Sequence, residues 1–201
     1  TVICVQETKL RSEESISAAV KWMHDRGWWI SFGRAHQTEQ DGLSAGVAVA
    51  VRAGLNIGVT EMKSPFATDL EHRLLGVRVS VPGMVPVALL AAHFQHGIGL
   101  KGTNLDMLAA MAIAQEIEGI PVLAGCDCNF APSRLQEIDF GQRASMLAIA
   151  PKKPTYLQNM SARVLGYFLA SDVLETMTGS VLVATEAPIS PHIGLWPCGP
   201  A

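Results

Sequence analysis

Apolar residues along the chain fall in short runs separated by polar or Gly- and Pro-containing segments. The runs are Val2 to Val5, Trp28 to Phe32, Gly46 to Val51, Leu74 to Val81, Val85 to His93, Pro121 to Gly125, Gly166 to Ala170 and Ser180 to Ala184. Their length and their content of Val, Ile and aromatic residues predict strands. Two stretches follow the helical period instead. Glu13 to Arg26 places Ile16, Val20 and Met23 on one face, and Thr103 to Glu118 does so with Leu105, Leu108, Ala109, Ala112 and Ile113, closing at Gly119. A shorter helix is expected after Pro132. The polar stretch Gly33 to Ser44 reads as a loop and Lys152-Lys153-Pro154 as a basic turn. No repeat, low-complexity tract or linker divides the chain, so residues 1–201 are expected to form one domain. Many strands with few helices predict an α/β domain of two packed sheets with helices outside.

Composition narrows this picture. With 49% hydrophobic and 16% charged residues over 201 positions, the chain can bury a sizeable core, which excludes a disordered segment. The longest apolar runs are far shorter than the roughly 18 residues a membrane helix needs. The chain opens directly on the run Val2-Ile3-Cys4-Val5, without the features of a signal peptide, as expected of a strand cut from a longer chain. Cys4, Cys126, Cys128 and Cys198 lack paired CxxC spacing, and Cys4 falls in a predicted buried strand. A reducing, intracellular setting is therefore expected rather than a disulfide framework. The net charge of -3 offers no global attraction to nucleic acid.

Candidate chemistry gathers where apolar strands end. Glu7 follows the first strand and can offer a carboxylate to a hard divalent cation, or be a solvated strand terminus. Asp127 and Asn129 follow Val122 to Gly125, and in an extended segment the i, i+2 spacing points both side chains the same way. The alternative is an Asx turn leading into the helix after Pro132. His93 and His96 close the Val85 to His93 strand, as phosphate contacts or as surface histidines, and His192 stands in Ser190-Pro191-His192. Cys126-Asp127-Cys128 has no second pair to complete a soft-metal site. Arg73, before a strand, could touch a phosphate backbone, whereas Trp22, Trp28 and Trp29 are expected to pack on the sheet rather than stack on bases.

Together these segments resemble the motifs of the endonuclease/exonuclease/phosphatase superfamily, in particular its apurinic-site and non-LTR retrotransposon endonucleases. Val2 to Lys9 is similar to the metal-glutamate motif, Ser44-Ala45-Gly46-Val47 to the next block, and Ala91-Ala92-His93 to the segment beside the scissile phosphate. Gly125-Cys126-Asp127-Cys128-Asn129 resembles the Gly-Asp-x-Asn signature, Tyr167 to Ser171 the strand before the last block, and Ser190-Pro191-His192 the terminal Ser-Asp-His. The order holds from residue 1 to about residue 195.

The resemblance implies a four-layered α/β sandwich of two packed mixed sheets flanked by helices, with the family's first strand missing, and in-line attack of water on a phosphodiester. It implies that Glu7 binds Mg²⁺ or Mn²⁺, Asp127 orients or deprotonates water, Asn129 holds a phosphate oxygen, and His93 and His192 contact the phosphate. The implied substrate is DNA, with RNA as an alternative, and the implied setting a retrotransposon polyprotein carrying a reverse transcriptase domain, hence the nucleus. No membrane partner is expected. Three departures bear on activity: the family's asparagine upstream of Val2 has no counterpart, Gly166 stands where an aspartate orients the terminal histidine, and Pro191 replaces the last aspartate. They imply weakened or lost activity. Two other readings therefore stand beside the nuclease: an inactive nuclease-like binding module, and a relative of the phospholipid or phosphoinositide phosphatases.

Overall fold

The computed structural model of the chain describes residues 1–54, 56–62, 68–158, 161–177, 181–184 and 194–197. Among the described residues, nine strands build the two principal sheets: β1 (Val2–Gln6), β2 (Trp28–Gly33), β3 (Val47–Arg52), β4 (Gly58–Glu61), β5 (Leu74–Ser80), β6 (Val87–His93), β7 (Val122–Asp127), β8 (Met146–Ile149) and β9 (Gly166–Ser171). The smaller sheet has the order β1-β3-β2 and is antiparallel throughout. The larger has the order β8-β9-β7-β6-β5-β4, in which only β6 and β7 are parallel. That parallel pair is bridged by the helix α2 (Thr103–Glu118), as a crossover requires.

Strand period explains how one sheet serves two cores. On β6, Leu89 and Ala91 join Val47, Val49 and Val51 of β3 and Val77 of β5 between the two sheets. The alternate residues Ala88, Leu90 and Ala92 face the other way, with Met107, Leu108, Met111 and Ala114 of α2. The helix α1 (Glu13–His24) lies against β2 and completes the four layers. Ser12 caps its start, accepting from Ser15 N, and Glu13 and Glu14 complement the helix dipole there. Two short helices, α3 (Ser133–Gln136) and α4 (Phe140–Ala144), follow Pro132.

Three sequence expectations change. The apolar face of α2 is rotated: Asn104, Met107, Leu108, Ala110, Met111 and Ala114 are buried, while Leu105 and Ile113 are 40% and 43% exposed. Ala and Met on every side of this helix make its periodicity ambiguous, and packing decides. Second, α1 buries none of its residues fully, and Val20 is 37% exposed. Third, the polar stretch read as a loop contains a small hairpin, His36–Gln37 paired with Leu43–Ser44. Its tight turn rests on Thr38, whose N–H donates to Gly42 O at 2.8 Å and whose hydroxyl accepts from Gly42 N at 3.0 Å. Of the tryptophans, Trp29 packs between the sheets as expected, but Trp22 is 55% exposed beneath the Arg26 guanidinium, 3.8 Å from the ring centre. No described helix is long and apolar enough to cross a membrane.

Candidate active site

The two sheets come closest where small residues allow it. A Cβ on Gly125 of β7 would lie 2.7 Å from Cys4 Cβ of β1, so only glycine lets these strands meet. Gln6 Nε2 then donates to Gly125 O at 2.9 Å, and Cys4 Sγ lies 3.3 Å from Leu90 O. After β1 the chain turns at Glu7 and Lys9, both in the left-handed region (φ 58° and 56°), and Thr8 and Lys9 donate their N–H groups to Gly46 O and Ala45 O. Gly46 itself has φ 83°, and a Cβ there would stand 2.5 Å from Thr8 Oγ1. The Gly125 and Gly46 positions of the two motifs are thus steric requirements of one corner.

That corner assembles the chemistry. The parallel register of β6 and β7 sets His93 opposite Asp127. His93 Nε2 lies 3.6 Å from Glu7 Oε1 and 3.9 Å from Asp127 Oδ2. Glu7, whose side chain is 51% exposed, also has Lys9 Nζ at 3.3 Å. His93 and Asp127 are buried, which corrects the surface-histidine alternative for His93, while His96 is exposed. A residue undervalued from sequence is Arg73: half-buried, it donates from Nη1 to His93 O at 3.2 Å, and the Glu7 carboxylate attracts its charge. Burial still holds its guanidinium below the usual arginine value. Nothing in its local sequence distinguishes Arg73 from an ordinary loop cation, since its importance comes from strands far away in the chain.

Of the two readings of Asp127 and Asn129, the extended one does not hold at Asn129. The strand ends at Asp127, Asn129 takes φ 55°, and its Nδ2 donates to Phe94 O at 2.8 Å. With Phe94 N donating to Asp127 O at 2.9 Å, this ties the segment after His93 to the segment after Asp127. One Nδ2 hydrogen is thereby committed to the backbone. Gly166 faces Asp127 across the β9–β7 ladder, and Thr155 Oγ1 accepts from both Leu165 N (2.9 Å) and Gly166 N (2.8 Å). His192 and Pro191 lie outside the described residues.

The cysteines beside Asp127 face the core. Cys126 and Cys128 are 5% and 0% exposed. Burial pushes the Cys4 thiol up to about 12 and raises Cys128, which lies beside Cys126 and the Tyr167 hydroxyl. Cys4, Cys126 and Cys128 are free thiols.

For a hard cation, the described residues form no group of three or more His, Cys, Asp or Glu ligands. What they offer is the half-exposed Glu7 carboxylate, with Asp127 across His93. Mg²⁺ keeps most of its waters and is commonly held by one or two carboxylates plus substrate phosphate, so this donor set suits it.

Two sheets packed face to face and flanked by helices give this chain the endonuclease/exonuclease/phosphatase-type fold of the solved structures on which it superposes. It superposes on AP endonuclease LMAP from Leishmania major with a TM-score of 0.74 at 19% identity, covering 96% of this chain and 76% of that one. TDP2 from D. rerio, humanized by 14 mutations, gives 0.69 at 14% identity, covering 98% and 84%. The endonuclease domain of TRAS1, a telomere-specific non-LTR retrotransposon, gives 0.61 at 11% identity, covering 96% and 95%. No family model and no curated protein matches the sequence.

Proposed function

We propose that this chain is a divalent-metal-dependent phosphodiesterase of the DNA endonuclease type. The observation that carries the reading is the convergence of Glu7, just after β1, with His93 and Asp127, at the ends of β6 and β7, around one imidazole nitrogen. Neighbours of the same fold include an AP endonuclease and a retrotransposon endonuclease, which supports a nucleic-acid substrate. The net charge of -3 does not bar an anionic substrate, because Lys9 and Arg73 offset the Glu7 and Asp127 carboxylates at the site, and a divalent cation would add the positive charge that meets a phosphate.

In this reading Glu7 would hold Mg²⁺ or Mn²⁺, which when bound neutralises charge developing on the phosphate. Asp127, held at the end of a rigid strand, orients water and accepts its proton at Oδ2. His93 presents Nε2, flanked by two carboxylates, to a non-bridging phosphate oxygen, and Arg73 fixes the backbone on which His93 stands. Asn129 donates its remaining amide hydrogen to a phosphate oxygen. His192 is proposed as a further phosphate contact on the motif alone. The test is nicking of supercoiled plasmid by the purified chain with and without Mg²⁺. Metal-dependent nicking that Asp127→Ala abolishes supports the reading, and nicking indifferent to metal and to the substitution contradicts it.

A second reading, a nuclease-like binding module without catalysis, is favoured by Gly166, which puts no side chain beside Asp127 in the ladder. It is distinguished by DNA binding without nicking. A retrotransposon polyprotein with a reverse transcriptase, and a nuclear location, rest on the TRAS1 likeness and extend the first reading.

A further inference from the structure

Away from the Glu7–His93–Asp127 corner, two more imidazoles meet. His36, at the start of the small hairpin, and His72, in the loop before β5, have ring centres 5.1 Å apart and planes inclined by 36°. They are 36 residues apart in sequence, yet both backbones are held by bonds that do not involve the rings. His72 O accepts from Gly46 N at 2.9 Å, and the absence of a side chain on Gly33 lets the neighbouring Glu71 carbonyl approach to within 2.3 Å of where a Cβ would stand. On the other side, Ala35 N donates to Leu10 O at 2.8 Å and His36 pairs with Ser44 across the hairpin. His36 is exposed and His72 half-buried, so solvent and ions reach the pair.

We infer that His36 and His72 form a two-imidazole site for a borderline divalent cation of the zinc type, distinct from the hard-cation site at Glu7. A tetrahedral ion bound through one nitrogen of each ring at about 2.0 Å places the ring centres about 5 Å apart, which is the spacing observed. Imidazole suits Zn²⁺, Cu²⁺ and Ni²⁺ and is a poor ligand for Mg²⁺, so the two sites select different ions. Among the described residues no third protein ligand completes the pair, so water would fill the remaining positions of a bound ion. Bound there, the ion staples the hairpin to the loop that carries Arg73.

The inference does not rest on nuclease activity and is tested without it. The intact chain is titrated calorimetrically with ZnCl₂ in excess Mg²⁺, beside His36→Ala, His72→Gln and Glu7→Gln, each checked for folding by circular dichroism. The expected result is one saturable Zn²⁺ site whose affinity falls at least about tenfold in either histidine variant, since even outer-shell changes cost metal sites 10–100-fold. Glu7→Gln should leave it intact. As a measurement free of mutation, Zn²⁺ should shift the ring-proton resonances of His36 and His72 together in the native chain. Absence of a Zn²⁺ site, its persistence in His36→Ala and His72→Gln, or its loss in Glu7→Gln overturns the inference, and the ring pair is then a plain aromatic contact.

Discussion

At the scale of single residues, glycine and carboxylate divide the work of the corner. Gly125 is required because β7 passes so close to Cys4. Gly125→Ala should therefore lower stability by about 1–3 kcal/mol through overpacking, read as a drop in thermal midpoint, and should also displace Asp127, two residues on. A variant as stable as the native chain would show that the sheets can part at no cost. His72 gives a pH signature. Desolvation, then Arg73 and His36, hold its imidazole below the ordinary histidine value, so the folded chain resists protonation there more than the unfolded one. A histidine depressed in the folded state contributes stability that is present above its unfolded value of about 6.5 and is lost as pH falls. Melting in chelated buffer should thus decline from pH 7 towards 5, and His72→Gln should flatten that slope. An unchanged slope would remove His72 from the account.

At the scale of elements, strands were easier to read than the way helices face. Runs such as Gly46 to Val51 and Val85 to His93 are strand-length and rich in branched residues, and they form β3 and β6 inside the two sheets. The edge strands β4 and β8 are not among the runs that the apolar pattern predicts, because Gly58–Glu61 and Met146–Ile149 are short and carry weak patterns of their own, so their identity depends on pairing with β5 and β9. The helix α2 has the predicted extent, Thr103 to Glu118, but buries another face, and one residue of that face is polar. Asn104 is fully buried, accepts from Gln95 N at 2.7 Å and donates to Gln95 O at 3.0 Å and Gly99 O at 2.7 Å. This carboxamide anchors the loop that follows His93 and Phe94. Asn104→Ala should cost about 2 kcal/mol and speed hydrogen exchange at the Gln95 amide more than in β6 or β7. Equal protection in both chains would mean the loop is held by other groups.

Across the whole molecule, the candidate site was legible as a set of motifs but not as a geometry. Glu7, His93 and Asp127 each end an apolar strand, which sequence can show; that the three strands meet at one imidazole follows from the pairing and packing of two sheets, which it cannot. Asn129 illustrates the limit, since its spacing left an extended segment and an Asx turn both open, and the left-handed backbone with a bond to Phe94 O excludes the extended one. Arg73 illustrates the converse, a loop residue brought under His93 by a long-range ladder. At the corner the cations Lys9 and Arg73 stand beside the carboxylates of Glu7 and Asp127, so the charges there balance while the chain as a whole carries -3.

The claim that Glu7 and Asp127 act through one site is tested most directly by a double-mutant cycle on Mg²⁺-dependent plasmid nicking. Glu7→Gln and Asp127→Asn should each lower kcat/KM by about 10²-fold or more, and the double variant should fall little further than the worse single one, as groups acting as a unit do. Losses that multiply independently, or single variants that nick like the native chain, would contradict the account.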